Sequence, residues 1–289
     1  LGILTTGRRR RQGPFMGYLF SWGFSALVVL TFGASSAAHA EDATDRMIVA
    51  IQALGHKVPA PSVLGPACDG DALCVAKFIQ GQIGDGAVLV PSVDAESVAT
   101  PPLKTRAWRT SAPALKAVDT MSDGTLYLRF TRFDEGAVVD AIAAIAPPPA
   151  KIMLDLRDIP PGEPLDSVRR MAAVFIGAQD RAFQVTYPSG RIVDWVVLKP
   201  RRAVLAALLS VILRADADGP ATVFAALLRE YKGAQILGAG PVGTQYARAR
   251  VPVAHGWSLL VPRGTLSIPG IDMTNGLVPD GPIPDSAKR

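Results

Sequence analysis

The sequence predicts an α/β fold with a largely parallel core, preceded by a small, partly helical N-terminal region. Three observations predict it. From about Val118 onward, short apolar runs alternate with stretches of helical periodicity. The clearest stretch places Val223, Phe224, Leu227, Leu228 and Tyr231 on one apolar stripe. Clusters of Pro and Gly, such as Pro147-Pro148-Pro149 and Gly238 to Gly243, punctuate the runs. With 289 residues, 49% of them hydrophobic, the chain can bury one large core or two small ones.

The elements follow in order. Residues 41–55 suggest a helix with acids in its first turn and Gly55 as its stop. Residues 71–82 suggest a second helix through Leu73, Val75, Ala76, Phe78 and Ile79. The segment from Pro91 to Pro113 is rich in Pro, Ser and Thr and reads as a linker or a surface-hugging arm. Thr125 to Phe130 alternates like a strand after the Asp123-Gly124 turn. Asp134 to Ile145 is a helix, and Ile152 to Leu156 a buried strand ending in Arg157. A Pro-rich loop from Asp158 to Pro164 leads into a helix at 166–176. Phe183 to Tyr187 and Ile192 to Leu198 form a hairpin around Pro188-Ser189-Gly190. Ala207 to Leu213 is another buried strand, and Asp216 or Asp218 is placed to cap the helix after it. Ile236-Leu237 begins a short strand. Thr244 to Val251 reads as a strand with its arginines pointing outward, and Trp257–Val261 and Thr265–Ile268 as two more short strands. The Gly238-Ala-Gly-Pro-Val-Gly243 run spells G-x-G-x-x-G but lacks a continuing helix, so it reads as a turn and not a phosphate loop.

Charge excludes one class of partner. Residues 1–40 carry four arginines and no acid; the remainder holds 26 basic and 25 acidic residues. That near-neutral body gives no reason to expect nucleic-acid binding. Residues 1–40 read as an export signal: Arg8 to Arg11, an uncharged apolar stretch from Tyr18 to Phe32, and a small-x-small Ala38-His39-Ala40 before Glu41. The alternative is an uncleaved anchor, but the apolar stretch is short for a span and interrupted by Ser21, Gly23, Ser25 and Thr31. The expected location is the periplasm or the exterior, with membrane contact only through this segment if it stays uncleaved. Cys68 and Cys74 lie in the exported part, where an oxidising compartment favours a disulfide. A metal reading needs more ligands than His56, His255, Asp69 and Asp71 supply, and no cofactor motif is present.

Four segments keep a family's order: Gly124 to Phe133, Leu154-Asp-Leu-Arg157, Val223-Phe224-Ala225 through Ile236-Leu237-Gly238, and Gly276-Leu-Val-Pro-Asp280. This set resembles the core of the carboxyl-terminal processing (tail-specific) serine peptidases, over a little more than half of the chain. The resemblance implies a crotonase/ClpP-like spiral core over residues 118–289, after a disulfide-tied helical region and Pro-rich arm at 41–117. A PDZ-type peptide-recognition domain often precedes this core. Residues 41–117 lack its glycine-rich carboxylate loop.

The family works through a Ser–Lys dyad, often with a Gln one turn of chain beyond the lysine. Here the resemblance puts Gly219 at the serine position, Thr244 at the lysine position and Arg248 at the Gln position. Pro220 follows Gly219 at the start of the helix. The family's oxyanion loop usually carries consecutive glycines; here it reads Asp158-Ile-Pro-Pro-Gly162, and Pro161 has no N–H to donate. Losing one oxyanion donor costs about 100- to 1000-fold in rate, and losing the nucleophile on the order of a million-fold.

Substitute nucleophiles have weak claims. Ser210 sits in a predicted buried strand, Ser189 on a hairpin tip, Thr222 in a first helical turn, and Thr244 without an evident activating partner. The sequence therefore favours an exported, non-catalytic peptidase-like protein that binds a peptide, a small ligand or an envelope protein. An active serine-type peptidase with displaced catalytic residues is the alternative. A decayed gene product is a third reading, disfavoured by the coherent periodicity and the paired cysteines.

Overall fold

The computed structural model describes residues 35–60, 63–64, 68–69, 71–91, 113–161, 163–200, 205–254 and 256–287. Helix α1 spans Ser35–Ala53 and α2 spans Ala72–Ile83. Strands β1 (Val88–Pro91), β2 (Leu115–Thr120) and β3 (Leu126–Phe130) precede α3 (Glu135–Ala143). Then come β4 (Lys151–Asp155), α4 (Leu165–Ile176), β5 (Gln179–Thr186), β6 (Ile192–Val197) and β7 (Leu208–Ile212). Helix α5 (Pro220–Lys232), β8 (Gln235–Leu237), β9 (Tyr246–Pro252) and β10 (Trp257–Ser267) complete the set.

Two sheets result. The first has the order β2-β3-β4-β7-β8, parallel from β3 to β8 with an antiparallel β2 at its edge. Alternation along its strands sends Leu126, Leu128, Phe130, Ile152, Leu154, Val211 and Ile236 into the main core. Helices α4 and α5 cover that core, where Phe224 sits 5.0 Å from Phe133 and 5.9 Å from Phe175, centroid to centroid. The opposite face presents Tyr127, Met153, Ile212 and Leu237, against which Ile283 and Ala287 of the closing segment pack. The second sheet is antiparallel, with the order β1-β10-β5-β6 and β9 paired to β10.

Helices α1 and α2 build a second core with this sheet. Met47, Ile48, Ile51, Val75, Ala76 and Ile79 pack with Val251, Val253, Leu259 and Val261. Cys68 and Cys74 are joined, with Cα atoms 5.6 Å apart, and Asp71 caps α2 by accepting from the N–H of Leu73. So short a ring contributes about 2–3 kcal/mol by the loop-entropy argument.

Several expectations change. Helix α1 begins at Ser35, not near Glu41, so it runs through Ala38-His39-Ala40; residues 1–34 lie outside the described residues. The Pro-rich arm, from residue 92 to 112, also lies outside them. Strands β1 and β2 carry no clear alternation in sequence and are fixed by their partners β10 and β3. The two short strands expected after Trp257 are one long β10, because Pro262 to Gly264 forms a bulge and does not break the pairing. Strand β7 starts with an exposed Leu208, and Ser210 is only half-buried. No helix among the described residues is long and apolar enough to cross a membrane.

Candidate functional site

Strand β7 delivers the chain into a loop that ends at the N-terminus of α5. Neither Asp216 nor Asp218 caps that helix. The N-cap is Gly219, at φ 60° and ψ −124°, and it makes no side-chain capping bond. A left-handed φ of this kind, on a strand–turn–helix bend, is where a hydrolase holds a strained nucleophile. Glycine adopts it without steric cost. Here no side chain projects from the bend.

Asp218 turns back over this bend. Its Oδ1 accepts from the N–H of Gly219 at 2.7 Å and from Thr244 Oγ1 at 3.3 Å. Its Oδ2 is ion-paired with Nη1 of Arg248 on β9. The Arg248 side chain is 6% exposed and that of Asp218 16%, so the arginine points inward and not out to solvent as the alternation of β9 suggests. Nε of Arg248 donates to the Gly86 carbonyl at 2.6 Å, tying the stretch after α2 to the site. Burial lowers the guanidinium pKa to about 10, while the neighbouring carboxylate favours the charged form. At neutral pH it is a cation.

The three positions of the expected serine, lysine and glutamine therefore meet, and they meet on one carboxylate. Asp218 is the residue that sequence reasoning missed; it read only as a possible cap. An acid immediately before the nucleophile position, with an arginine at the Gln position, was the available signal.

Around the bend, several backbone positions among the described residues offer no free N–H. Pro220, directly after Gly219, has no N–H. The carbonyl of Pro161 faces the bend, 3.1 Å from where a Cβ on Gly219 would sit. An acceptor thus stands where hydrolases aim N–H groups at a developing oxyanion. Other N–H groups of this loop are spent locally: Ile159 donates to Leu156, Glu163 to Pro160, and Arg157 to its neighbour Asp155. Gly162 lies outside the described residues. Asp158 turns away to β2 and β3, bound by Arg129 Nε and Lys116 Nζ, each at 2.9 Å. Burial alone would raise its pKa, but those two cations outweigh it and hold the carboxyl below its usual range.

The other hydroxyls fare no better. Thr222 is fully buried under Gly243, whose own φ is 76°, and its Oγ1 has no hydrogen-bond partner among the described residues. Ser189 is exposed on the β5–β6 turn. His56 spends Nε2 on the Pro262 carbonyl, and His255 lies outside the described residues. The Gly238–Gly243 run is a turn clamped by the closing segment, with Val242 paired to Leu277 and the N–H of Gly238 bonded to Gly281. No group of three or more His, Cys, Asp or Glu poised for a metal exists among the described residues.

A second polar cluster fixes the loop after β4. Asp155 is fully buried, accepts from the Tyr127 hydroxyl, and receives Arg157 Nε at 2.9 Å and Nη2 at 2.6 Å. The same Nη2 donates to the Ala287 carbonyl at 2.8 Å, holding the closing segment down. Burial and the adjacent carboxylate raise the Tyr127 pKa.

No described protein family and no curated protein matches the sequence. Solved structures match the fold. A candidate peptidase from Parabacteroides merdae aligns over 86% of this chain and 89% of its own, with 13% identity and a TM-score of 0.51. A lipoprotein from Streptococcus agalactiae aligns over 84% and 92%, with 10% identity and a TM-score of 0.56. The photosystem II D1 C-terminal processing protease aligns over 69% of this chain at 18% identity, with a TM-score of 0.45; the chain spans about half (48%) of its length. The fold is a mixed α/β core shared with the Parabacteroides merdae candidate peptidase and the Streptococcus agalactiae lipoprotein.

Proposed function

We propose that this chain is an exported, tail-specific-peptidase-like protein that does not hydrolyse peptides and instead binds a peptide, a small ligand or an envelope partner. One observation carries the reading. The Asp218 carboxylate gathers the Gly219 N–H, the Thr244 hydroxyl and the Arg248 guanidinium, where the resemblance calls for a serine, a lysine and a glutamine. A nucleophile, its base and the oxyanion donors must all be present for acyl transfer. Here the first position has no side chain, the second has no amine, and the facing loop offers a carbonyl. Export is supported by the basic and apolar pattern of residues 1–40, by the Cys68–Cys74 disulfide, and by the lipoprotein nature of the Streptococcus agalactiae neighbour.

Beside the bend, the hydroxyl that an active peptidase could turn to is Thr244, which reaches the Asp218 carboxylate. That carboxylate is held by Arg248, which makes it a poor proton acceptor. Treating the purified protein with a serine-directed fluorophosphonate, followed by peptide mapping, decides between the two. No covalent adduct is expected. A stoichiometric adduct on Thr244 or any other hydroxyl would establish the active peptidase instead.

A further inference from the structure

The Pro-rich stretch that faces the candidate site carries a buried acid. Ile159 anchors it in the main core, and the Glu163 N–H donates to the Pro160 carbonyl at 3.1 Å. Pro161 lies between them, with its carbonyl toward the Gly219 bend. Glu163 is only 8% exposed and comes directly before the N-cap of α4. Its carboxyl meets the Phe133 N–H, from the turn between β3 and α3, and the hydroxyl of Ser167 in the first turn of α4. Two cations stand near it, Arg132 beside Phe133 and Arg170 on α4. Each is paired with another acid, Arg132 with Asp134 and Arg170 with Asp166. Phe133 in turn packs on Phe224 of α5, the helix that starts at the bend.

The donors around Glu163 suit a neutral carboxyl better than a charged one. Ser167 has one hydroxyl proton, and it goes to the Pro164 carbonyl at 2.6 Å. A neutral carboxyl donates its own O–H to Ser167 Oγ while accepting from Phe133, so no proton is contested. A carboxylate has no proton to give and asks for a second donor. Drawing the Ser167 proton to it takes a bond from Pro164 at the start of α4, where no side chain caps the helix. We propose that Glu163 is a proton-sensing tie for this stretch: neutral, it holds the Pro161 carbonyl against the Gly219 bend, and ionised, it lets that stretch loosen. Burial pushes the carboxyl pKa up, so release comes as the medium moves from acid toward neutrality. The tie stands whether or not the protein cleaves peptides.

Site-resolved amide hydrogen exchange on the full chain tests this, at about pH 5 and about pH 7.5 and corrected for the intrinsic pH dependence of exchange. Protection of the Glu163 amide should fall across that range by about tenfold more than protection of the Leu154 amide, which lies in the fully buried part of β4 and reports the whole fold. Glu163→Gln should remove that difference, because the carboxamide does not titrate there. Ser167→Ala should keep the difference and move its midpoint to higher pH, since the charged form loses a donor. Parallel changes at Glu163 and Leu154, a flat profile at Glu163, the same fall in Glu163→Gln, or a midpoint lowered by Ser167→Ala would each overturn the proposal. Fluorophosphonate labelling reads out independently of all these results.

Discussion

Arg248 on β9 and Asp218 ahead of α5 form a nearly buried ion pair beside Gly219, whose N–H the same carboxylate accepts. Removing one partner strands the other away from water. Arg248→Met should therefore cost about 3–5 kcal/mol in chemical denaturation. Asp218→Asn should cost less, since the amide still accepts from Gly219. The Arg248→Met/Asp218→Asn pair should recover part of the loss. Strict additivity in that cycle would mean that the two side chains are not coupled.

Restoring the hydroxyl should not restore hydrolysis. Gly219→Ser places a Cβ 3.1 Å from the Pro161 carbonyl, on a residue at φ 60°. A stability loss of about 1–3 kcal/mol is expected from that strain. Turnover of an unstructured protein substrate should stay at background, even with Thr244→Lys added, because Pro161 and Pro220 offer no oxyanion donors. Measurable cleavage by the Gly219→Ser/Thr244→Lys protein would show that donors exist elsewhere.

Glu163 gives stability a pH dependence of definite sign. It is buried at the foot of α4. That burial raises its pKa, against the opposing pull of hydrogen bonds from Ser167 and the Phe133 N–H and of the charges of Arg132 and Arg170. A carboxyl whose folded pKa exceeds its unfolded one contributes stability that is complete below the unfolded value. That contribution is lost as pH rises through the folded value. Thermal midpoints should therefore show a loss between the acid range and neutrality that Glu163→Gln lacks, leaving the variant more stable at pH 7. A variant less stable at pH 7 would contradict the sign.

Arg157 ties the closing segment to the sheet by donating to Ala287 while neutralising Asp155. Arg157→Met leaves a fully buried carboxylate without that cation, and a loss of about 3–5 kcal/mol is expected. The local signature is faster amide exchange at Gly238, whose N–H bonds to Gly281. Unchanged exchange there would separate the arginine from the segment it is said to hold.

Periodic, well-buried elements were legible in the sequence. The α5 stripe, the Leu154-Asp-Leu-Arg157 strand end and the helix that opens at Asp134 all stand where the pattern puts them, with Asp134 as the cap of α3 rather than its first residue. What escaped has a physical reason in each case. Strand β2 is largely exposed, so it shows no apolar alternation, and its pairing with β3 alone defines it. Pro262 and Gly264 look like breakers, yet a bulge absorbs them. The inward turn of Arg248 depends on a carboxylate and a carbonyl that only the tertiary fold brings near, at Asp218 and Gly86. The serine and lysine positions at Gly219 and Thr244 rest on the resemblance alone; the bonds that draw Gly219, Thr244 and Arg248 onto Asp218 arise only in the tertiary fold.

Strand β10 belongs to both hydrophobic interiors. Leu259 and Val261 sit in the one built with α1 and α2, and Leu266 in the other. Neither interior can come apart without pulling on the ribbon that runs through both. Heating should thus give a single calorimetric endotherm whose enthalpy matches that of one cooperative unit, and excision of the N-terminal helices should lower the melting of the entire body rather than leave an unaffected remainder.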